Sequence, residues 1–174
     1  MTTYSTNILV SFGMPVFNDL DYLPVALDAL LAQSHDNFEL IISDDCSTDG
    51  SEQVCREYAK KDPRIRYIRQ TTNLGISRNL EFLLKEGKGK YFMWAGNDDL
   101  WSKDFVKVLV EELEKKEDCI VAFGKTIFID HQGNQHPAEQ PRNFNYEGST
   151  PAIRLKKLWA RVDDTFGYGL YRRE

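Results

Sequence analysis

The chain has 174 residues, of which 41% are hydrophobic and 12% aromatic, and this content is enough to bury one sizeable core. A formal net charge of -5, from 27 acidic and 22 basic residues, argues against nucleic acid as the main partner. Three cysteines without CxxC spacing indicate neither a disulfide framework nor a zinc site, and they suit a reducing cytosol.

Short apolar runs alternate with longer segments of helical period over residues 7–124, which is the pattern of successive βα units around a parallel sheet covered on both faces. Strands are predicted at residues 8–12, 38–43, 65–69, 90–95 and 119–124. Helices are predicted between and after them, at residues 22–33, 51–61, 75–85 and 103–116.

After residue 124 the alternation changes. A further strand is predicted at residues 126–130, a polar loop at 137–148 and a last helix at 151–161. Residues 166–173 alternate like a strand without a following turn, so we expect the chain to be cut within a longer fold. The polar start predicts no signal peptide, and no apolar stretch is long enough to span a bilayer.

Polar residues follow each predicted strand, at the edge where parallel α/β sheets bind ligands. Two acidic pairs, Asp44-Asp45 and Asp98-Asp99, are therefore expected to face one crevice. Clustered carboxylates repel each other unless hydrogen bonds or a cation compensate, and Mg²⁺ or Mn²⁺ would suit these oxygen ligands. The alternatives are a helix cap for the second pair and a turn for the first.

Three further positions could act on a ligand. Arg78, three residues past Gly75, could contact a phosphate as a bidentate donor, or it could be an exposed helix arginine paired with a glutamate. Asp163 and Asp164, near the end of the last predicted helix, are weak candidates for a catalytic base, with acceptor contact or helix termination as alternatives. The sequence contains neither a GxxxxGK[ST] motif nor a GxGxxG motif after the first strand, which disfavours a P-loop nucleotidase and a dinucleotide oxidoreductase.

Four segments in order resemble the family 2 glycosyltransferases, over residues 7–124: Pro15-Val16-Phe17-Asn18, Asp44-Asp45-Cys46-Ser47-Thr48-Asp49-Gly50, Asn73-Leu74-Gly75-Ile76-Ser77-Arg78-Asn79 and Asn97-Asp98-Asp99. The resemblance implies a GT-A fold, which is a Rossmann-like, mostly parallel α/β sheet with helices on both faces that binds a nucleotide-diphosphate sugar. It also implies one domain over residues 1–174 whose C-terminal part is missing, with a nucleotide-sugar-binding half at 7–124 and the start of an acceptor-side half at 125–174.

The resemblance also implies roles for individual residues. Pro15, Phe17 and Asn18 would lie beside the nucleoside, Asp45 would contact the base, Arg78 the diphosphate, Asp98 the ribose or sugar, and Asp99 the metal. The sequence departs from the family at Asn97, where many relatives carry the first aspartate of a D-x-D motif, and at Cys46, where glycine or asparagine is usual. The family's catalytic base is expected in an acidic motif beyond Glu174.

The predicted function is therefore a metal-dependent, inverting glycosyltransferase of polysaccharide or glycolipid synthesis, which moves a sugar from a nucleotide-diphosphate donor to a saccharide or lipid-linked acceptor hydroxyl. The alternative is a catalytically incomplete nucleotide-sugar-binding module. A phospho-accepting signalling domain is disfavoured, because its acidic pair would follow the first strand rather than the second. The expected location is the cytoplasm, with peripheral membrane association of the full-length protein as the alternative.

Overall fold

The computed structural model describes residues 8–135 and 169–173. Residues 8–122 and 169–173 belong to one compact unit, and residues 123–135 belong to a second. Strands and helices alternate through the described residues in this order: β1 (Val10–Val16), α1 (Leu23–Leu31), β2 (Phe38–Asp44), α2 (Ser51–Lys61), β3 (Ile65–Arg69), α3 (Ile76–Glu86), β4 (Tyr91–Trp94), α4 (Phe105–Lys115), β5 (Val121–Ala122) and β6 (Leu170–Arg172).

The strands form one mixed sheet in the order β3-β2-β1-β4-β6-β5. The first four strands are parallel, whereas β6 runs antiparallel to both β4 and β5. The middle of β2 is the apolar run Leu40-Ile41-Ile42, and all three side chains are fully buried, as expected for a strand covered on both faces. The predicted α/β class with a mostly parallel sheet is confirmed.

Helices cover both faces of this sheet, as predicted. One face carries the larger core, in which α1 and α4 pack against β1, β2 and β4 through apolar residues at helical spacing. The other face carries a smaller cluster in which Leu83 of α3 packs on Ile41 and Phe92. Gly13 makes this contact possible, because a Cβ there would lie 2.6 Å from the Phe92 ring and 3.0 Å from the Leu83 Cβ.

β1 differs from its prediction, because it starts at Val10 and continues to Val16. Pro15 was expected in the loop after the first strand but lies within β1, opposite Ser43. The extension follows from pairing, since β2 matches β1 over all seven residues. β4 pairs with β1 only as far as Gly13, so Pro15 lies where the ladder on that side has ended and its missing N–H is tolerated.

The region after β5 was predicted less well. Residues 126–130 contain only an isolated bridge from Ile129 to Gln135, so the predicted strand is wrong. Asp130 instead closes a local turn by accepting hydrogen bonds from the backbone N–H groups of Gln132 and Asn134. The predicted loop at 137–148 and helix at 151–161 lie outside the described residues. Among the residues that are described, no helix has the length and apolar character needed to cross a membrane.

Candidate functional site

The loops that follow β1, β2 and β4 begin side by side at one edge of the sheet. Val16 pairs with Asp44 at the ends of β1 and β2, and the Asp45 N–H donates to the Val16 carbonyl oxygen at 2.8 Å. On the other side of β1, the Ala95 N–H donates to the Gly13 carbonyl oxygen at 2.9 Å. Parallel pairing therefore brings three of the four predicted site segments to the same edge.

The loop after β1 is hydrogen-bonded to the loop after β2. The Asn18 N–H donates to the Ser47 hydroxyl at 3.0 Å, and the Asn18 side-chain oxygen accepts the Thr48 N–H at 2.7 Å. Asn18 is exposed and has a φ of 50°, which asparagine tolerates better than most residues. Its oxygen thus holds the neighbouring loop, while its amide nitrogen has no hydrogen-bond partner among the described residues.

Two other residues predicted to lie beside the nucleoside differ in exposure. Phe17 is 51% exposed at the end of β1, so its ring is free to contact a ligand. Pro15 is half-buried within β1 and presents little surface. Their contact with a nucleoside stays a prediction.

Asp45 is buried and holds the start of α3. Its two carboxylate oxygens accept the backbone N–H groups of Leu74 at 2.6 Å and Gly75 at 2.9 Å. Each oxygen keeps a second lone pair, so the predicted contact with a base N–H is chemically compatible with these bonds. The bonds also bring the third predicted segment, residues 73–78, to the same edge of the sheet.

Arg78 lies in the first turn of α3 with its side chain exposed. It makes no hydrogen bond or ion pair with the part of the chain that the structure describes. The nearby Glu81 is ion-paired with Lys85 at 2.5 Å. The pKa of Glu81 is lowered mainly by Lys85 and to a smaller extent by the charge of Arg78. Arg78 is therefore available to an anion, while its contact with a diphosphate stays a prediction.

Asp44 does not face the crevice, which corrects the expectation for the first acidic pair. Its side chain is fully buried and accepts hydrogen bonds from the Ser47 N–H, the Tyr67 hydroxyl and the Arg69 guanidinium. Burial raises the pKa of Asp44, but these hydrogen bonds and the Arg69 charge outweigh burial and leave the pKa below its usual value. Of this pair, only Asp45 turns toward the third segment.

The second acidic pair lies close to Gly96, where the backbone leaves room for both carboxylates. A Cβ on Gly96 would lie 2.2 Å from Asp99 Oδ2 and 3.1 Å from Asp98 Oδ1. The Asp99 Oδ2 atom is buried and has no hydrogen-bond partner among residues 8–135 and 169–173. Burial, followed by the charge of Asp98, raises the pKa of Asp99 to about 6.

The alternative role of this pair as a helix cap does not hold. α4 starts only at Phe105, and the residue at its N-cap is Asp104. The unsatisfied carboxylate of Asp99 is therefore unexplained by local structure, and buried polar groups are normally hydrogen-bonded. A bound cation would satisfy such an oxygen.

Asp19 is a further carboxylate near the second acidic pair that was not among the predicted site residues. It follows Asn18 in the loop after β1, and its pKa is raised by burial and then by the charges of Asp98, Asp49 and Asp21. The effect of Asp98 indicates that the loops after β1 and β4 bring carboxylates near each other. Its position directly after the Pro15–Asn18 segment was the available signal.

The donor set fits a cation that is completed by other ligands. Within residues 8–135 and 169–173, no group of three or more histidine, cysteine, aspartate or glutamate side chains could hold a metal ion. Mg²⁺ and Mn²⁺ sites commonly use one or two protein carboxylates, with water and phosphate oxygens as the remaining ligands. Asp98 and Asp99 match that pattern, and the candidate bases Asp163 and Asp164 lie outside the described residues.

Comparison with known protein families gives a match to the model described as "Glycosyl transferase family 2", over residues 11–174. A glycosyltransferase of Bacillus subtilis named for teichuronic acid biosynthesis, TuaG, is 34% identical over 117 residues, which are 66% of this chain and 45% of TuaG. Glycosyltransferase GlyA of Streptococcus pneumoniae is 31% identical over 120 residues, which are 69% of this chain and 17% of GlyA. The chain thus spans less than half the length of these relatives.

Solved structures share the fold. The Staphylococcus aureus TarS 1–349 structure in complex with UDP aligns with a TM-score of 0.70 and 20% identity, over 95% of this chain and 47% of that one. The mannosyltransferase PcManGT from Pyrobaculum calidifontis, in complex with GDP-Man and Mn²⁺, aligns with a TM-score of 0.61 and 22% identity, over 68% of this chain and 35% of that one. These likenesses and the sheet order confirm the predicted GT-A, Rossmann-like fold.

Proposed function

The chain belongs to glycosyl transferase family 2, and from this premise we propose that it forms the donor-binding part of an enzyme that moves a sugar from a nucleoside diphosphate to an acceptor hydroxyl. The observation that carries the proposal is the buried Oδ2 atom of Asp99, which lies beside Asp98 at the carboxyl edge of the sheet and has no hydrogen-bond partner in the described part of the chain. A metal-bound diphosphate would supply the missing partner.

The nucleoside is proposed to lie over the loops after β1 and β2. Phe17 offers an exposed ring and Asp45 a fixed carboxylate, while the Asn18 amide can donate a hydrogen bond. Two structural relatives support a nucleotide ligand, because one was solved with UDP and another with GDP-Man. Which base this chain prefers is part of the test below.

The diphosphate is proposed to lie between Arg78 and the Asp98-Asp99 pair. Arg78 brings a positive charge to the first turn of α3, where the helix dipole also favours an anion. Asp99, with Asp98 beside it, would hold Mn²⁺ or Mg²⁺, and a structural relative was solved with Mn²⁺. When bound, this cation would stabilise negative charge on the departing diphosphate.

The acceptor side is proposed from the relatives. TuaG is named for teichuronic acid biosynthesis, which supports a saccharide or lipid-linked acceptor and a role in cell-surface polysaccharide or glycolipid synthesis. Inversion at the anomeric carbon rests on the family resemblance, and Asp163 and Asp164 remain the candidate bases. The proposed location is the cytoplasm, supported by three free thiols, with peripheral membrane association of the full-length protein as the alternative.

Isothermal titration calorimetry with UDP, GDP, TDP and CDP, each with and without Mn²⁺, tests the proposal. We expect at least one nucleotide to bind only when Mn²⁺ is present. The Asp99→Asn variant should lose this metal-dependent binding. Asp118→Asn, an equal charge change at an exposed residue after α4, is the control and should bind like wild type. Absence of metal-linked binding in wild type would contradict the proposal, and binding without transfer or donor hydrolysis would favour a donor-binding module.

A further inference from the structure

Asp44 and Arg69 face each other at the ends of β2 and β3. They are direct partners in the parallel register of the two strands. Asp44 Oδ2 accepts hydrogen bonds from the Tyr67 hydroxyl at 2.7 Å and from Nη1 of Arg69 at 2.8 Å. A fully buried carboxylate with charge-assisted partners has a fixed position, so this pair can serve as a rigid support.

Both side chains also hold the backbone of Ser47. The Ser47 N–H donates to Asp44 Oδ1 at 2.8 Å, and the Ser47 carbonyl oxygen accepts from Nη2 of Arg69 at 3.0 Å. Only Asp45 and Cys46 lie between Asp44 and Ser47. Cys46 has a φ of 68°, a left-handed conformation that non-glycine residues rarely adopt and that surrounding contacts must maintain. Holding both polar groups of Ser47 therefore fixes the path of Asp45 and Cys46.

Ser47 extends the same support to the loop after β1, because its hydroxyl accepts the Asn18 N–H at 3.0 Å. Ser47 therefore supports both loops that carry the residues proposed to contact the nucleoside, namely the loop after β1 and the loop after β2. The cation side of the site is separate. Among the described residues, no hydrogen bond joins Asp98 or Asp99 to Asp44, Ser47 or Arg69.

We propose that Asp44 and Arg69 are positioning residues for nucleobase recognition, and that their ion pair sets the affinity for the nucleoside through Ser47 and the Asp45–Ser47 loop. The diphosphate and its cation are bound independently of this pair. This inference rests on the proposed function, because it takes a nucleoside diphosphate as the ligand of the crevice.

The test compares two kinds of probe on the 174-residue chain: UDP and GDP on one side, and inorganic pyrophosphate on the other, each with Mn²⁺. For Asp44→Asn and for Arg69→Gln we expect the affinity for the tighter nucleotide to fall about tenfold and that for pyrophosphate to change less than about twofold. A general loss of structure would lower both affinities together. The double variant should bind the nucleotide no less tightly than the single variant with the lower affinity, because both side chains act on Ser47.

Asp62→Asn is the matched control, because it breaks a 2.7 Å ion pair with Arg64 just before the start of β3. It should leave both affinities unchanged. If Asp44→Asn fails to fold, Arg69→Gln carries the test, since the Arg69 side chain is 30% exposed. Nucleotide affinity that is unchanged, or that falls in parallel with pyrophosphate affinity, overturns this inference alone. A wild-type chain that binds none of UDP, GDP, TDP and CDP overturns the proposed function as well.

Discussion

Replacing Gly96 with alanine tests the candidate cation site without removing any carboxylate, because the new methyl group displaces the Asp99 side chain. The new Cβ would lie 2.2 Å from Asp99 Oδ2 and 2.9 Å from Asp99 Cγ. Carbon and oxygen atoms pack well only beyond about 3 Å, so the Asp99 carboxylate must retreat by roughly 1 Å. Its Oδ2 makes no hydrogen bond with the residues that the structure describes, so the retreat breaks none there and the free energy of unfolding should fall by no more than about 1 kcal/mol.

The same retreat should weaken metal binding strongly. Displacing a ligand through a neighbouring residue typically lowers metal affinity about 10- to 100-fold, and we expect this loss for Mn²⁺-dependent nucleotide binding in calorimetry. Gly133→Ala is the control, because its Cβ would meet nothing within 4 Å while its φ of 83° strains alanine. It should lower stability by about 1 kcal/mol without changing affinity. Unchanged metal-dependent binding in Gly96→Ala would refute the assignment of Asp99.

Three further predictions concern proton competition, the diphosphate and the core. Burial and Asp98 raise the pKa of Asp99 to about 6, so protons compete with the cation below that pH. The Mn²⁺-dependent nucleotide affinity should therefore rise as pH increases through 6 and level off above it. Calorimetric titrations from about pH 5 to 8 check this, and an affinity that does not change with pH contradicts it. Arg78→Ala should weaken pyrophosphate binding while the free energy of unfolding in urea stays within about 0.5 kcal/mol of wild type. Gly13→Ala should cost about 1–3 kcal/mol of stability in urea, because its Cβ would overlap the Phe92 ring.

Several elements could be predicted because the sequence pattern is local. α2 and β3 have the predicted bounds, and the helical spacing of α1 and α4 identified the residues that pack against the sheet. The edge where the site segments meet was also predictable, because parallel strands present their carboxyl ends together. This rule placed the segments of Asp45 and Asp99 at one edge.

Features that depend on pairing between distant segments could not be predicted. Asp44 and Asp45 are adjacent and chemically identical, and their different environments follow from the register that places Arg69 opposite Asp44. β1 extends through Pro15 because β2 continues alongside it. Asp19 belongs with the acidic residues only because the loops after β1 and β4 approach each other, as the effect of Asp98 on its pKa indicates.

The most direct test of the central claim is nuclear magnetic resonance of the 15N-labelled chain with Mn²⁺ and UDP or GDP. Paramagnetic broadening falls steeply with distance from the ion, so it locates the cation. We expect the strongest broadening at the backbone amides of residues 96–99, with weaker effects in residues 17–19 and 73–78 and the least at Asp62 and Arg64. Strong broadening confined to the other edge of the sheet, or broadening at residues 96–99 that persists in Asp99→Asn, would contradict the account.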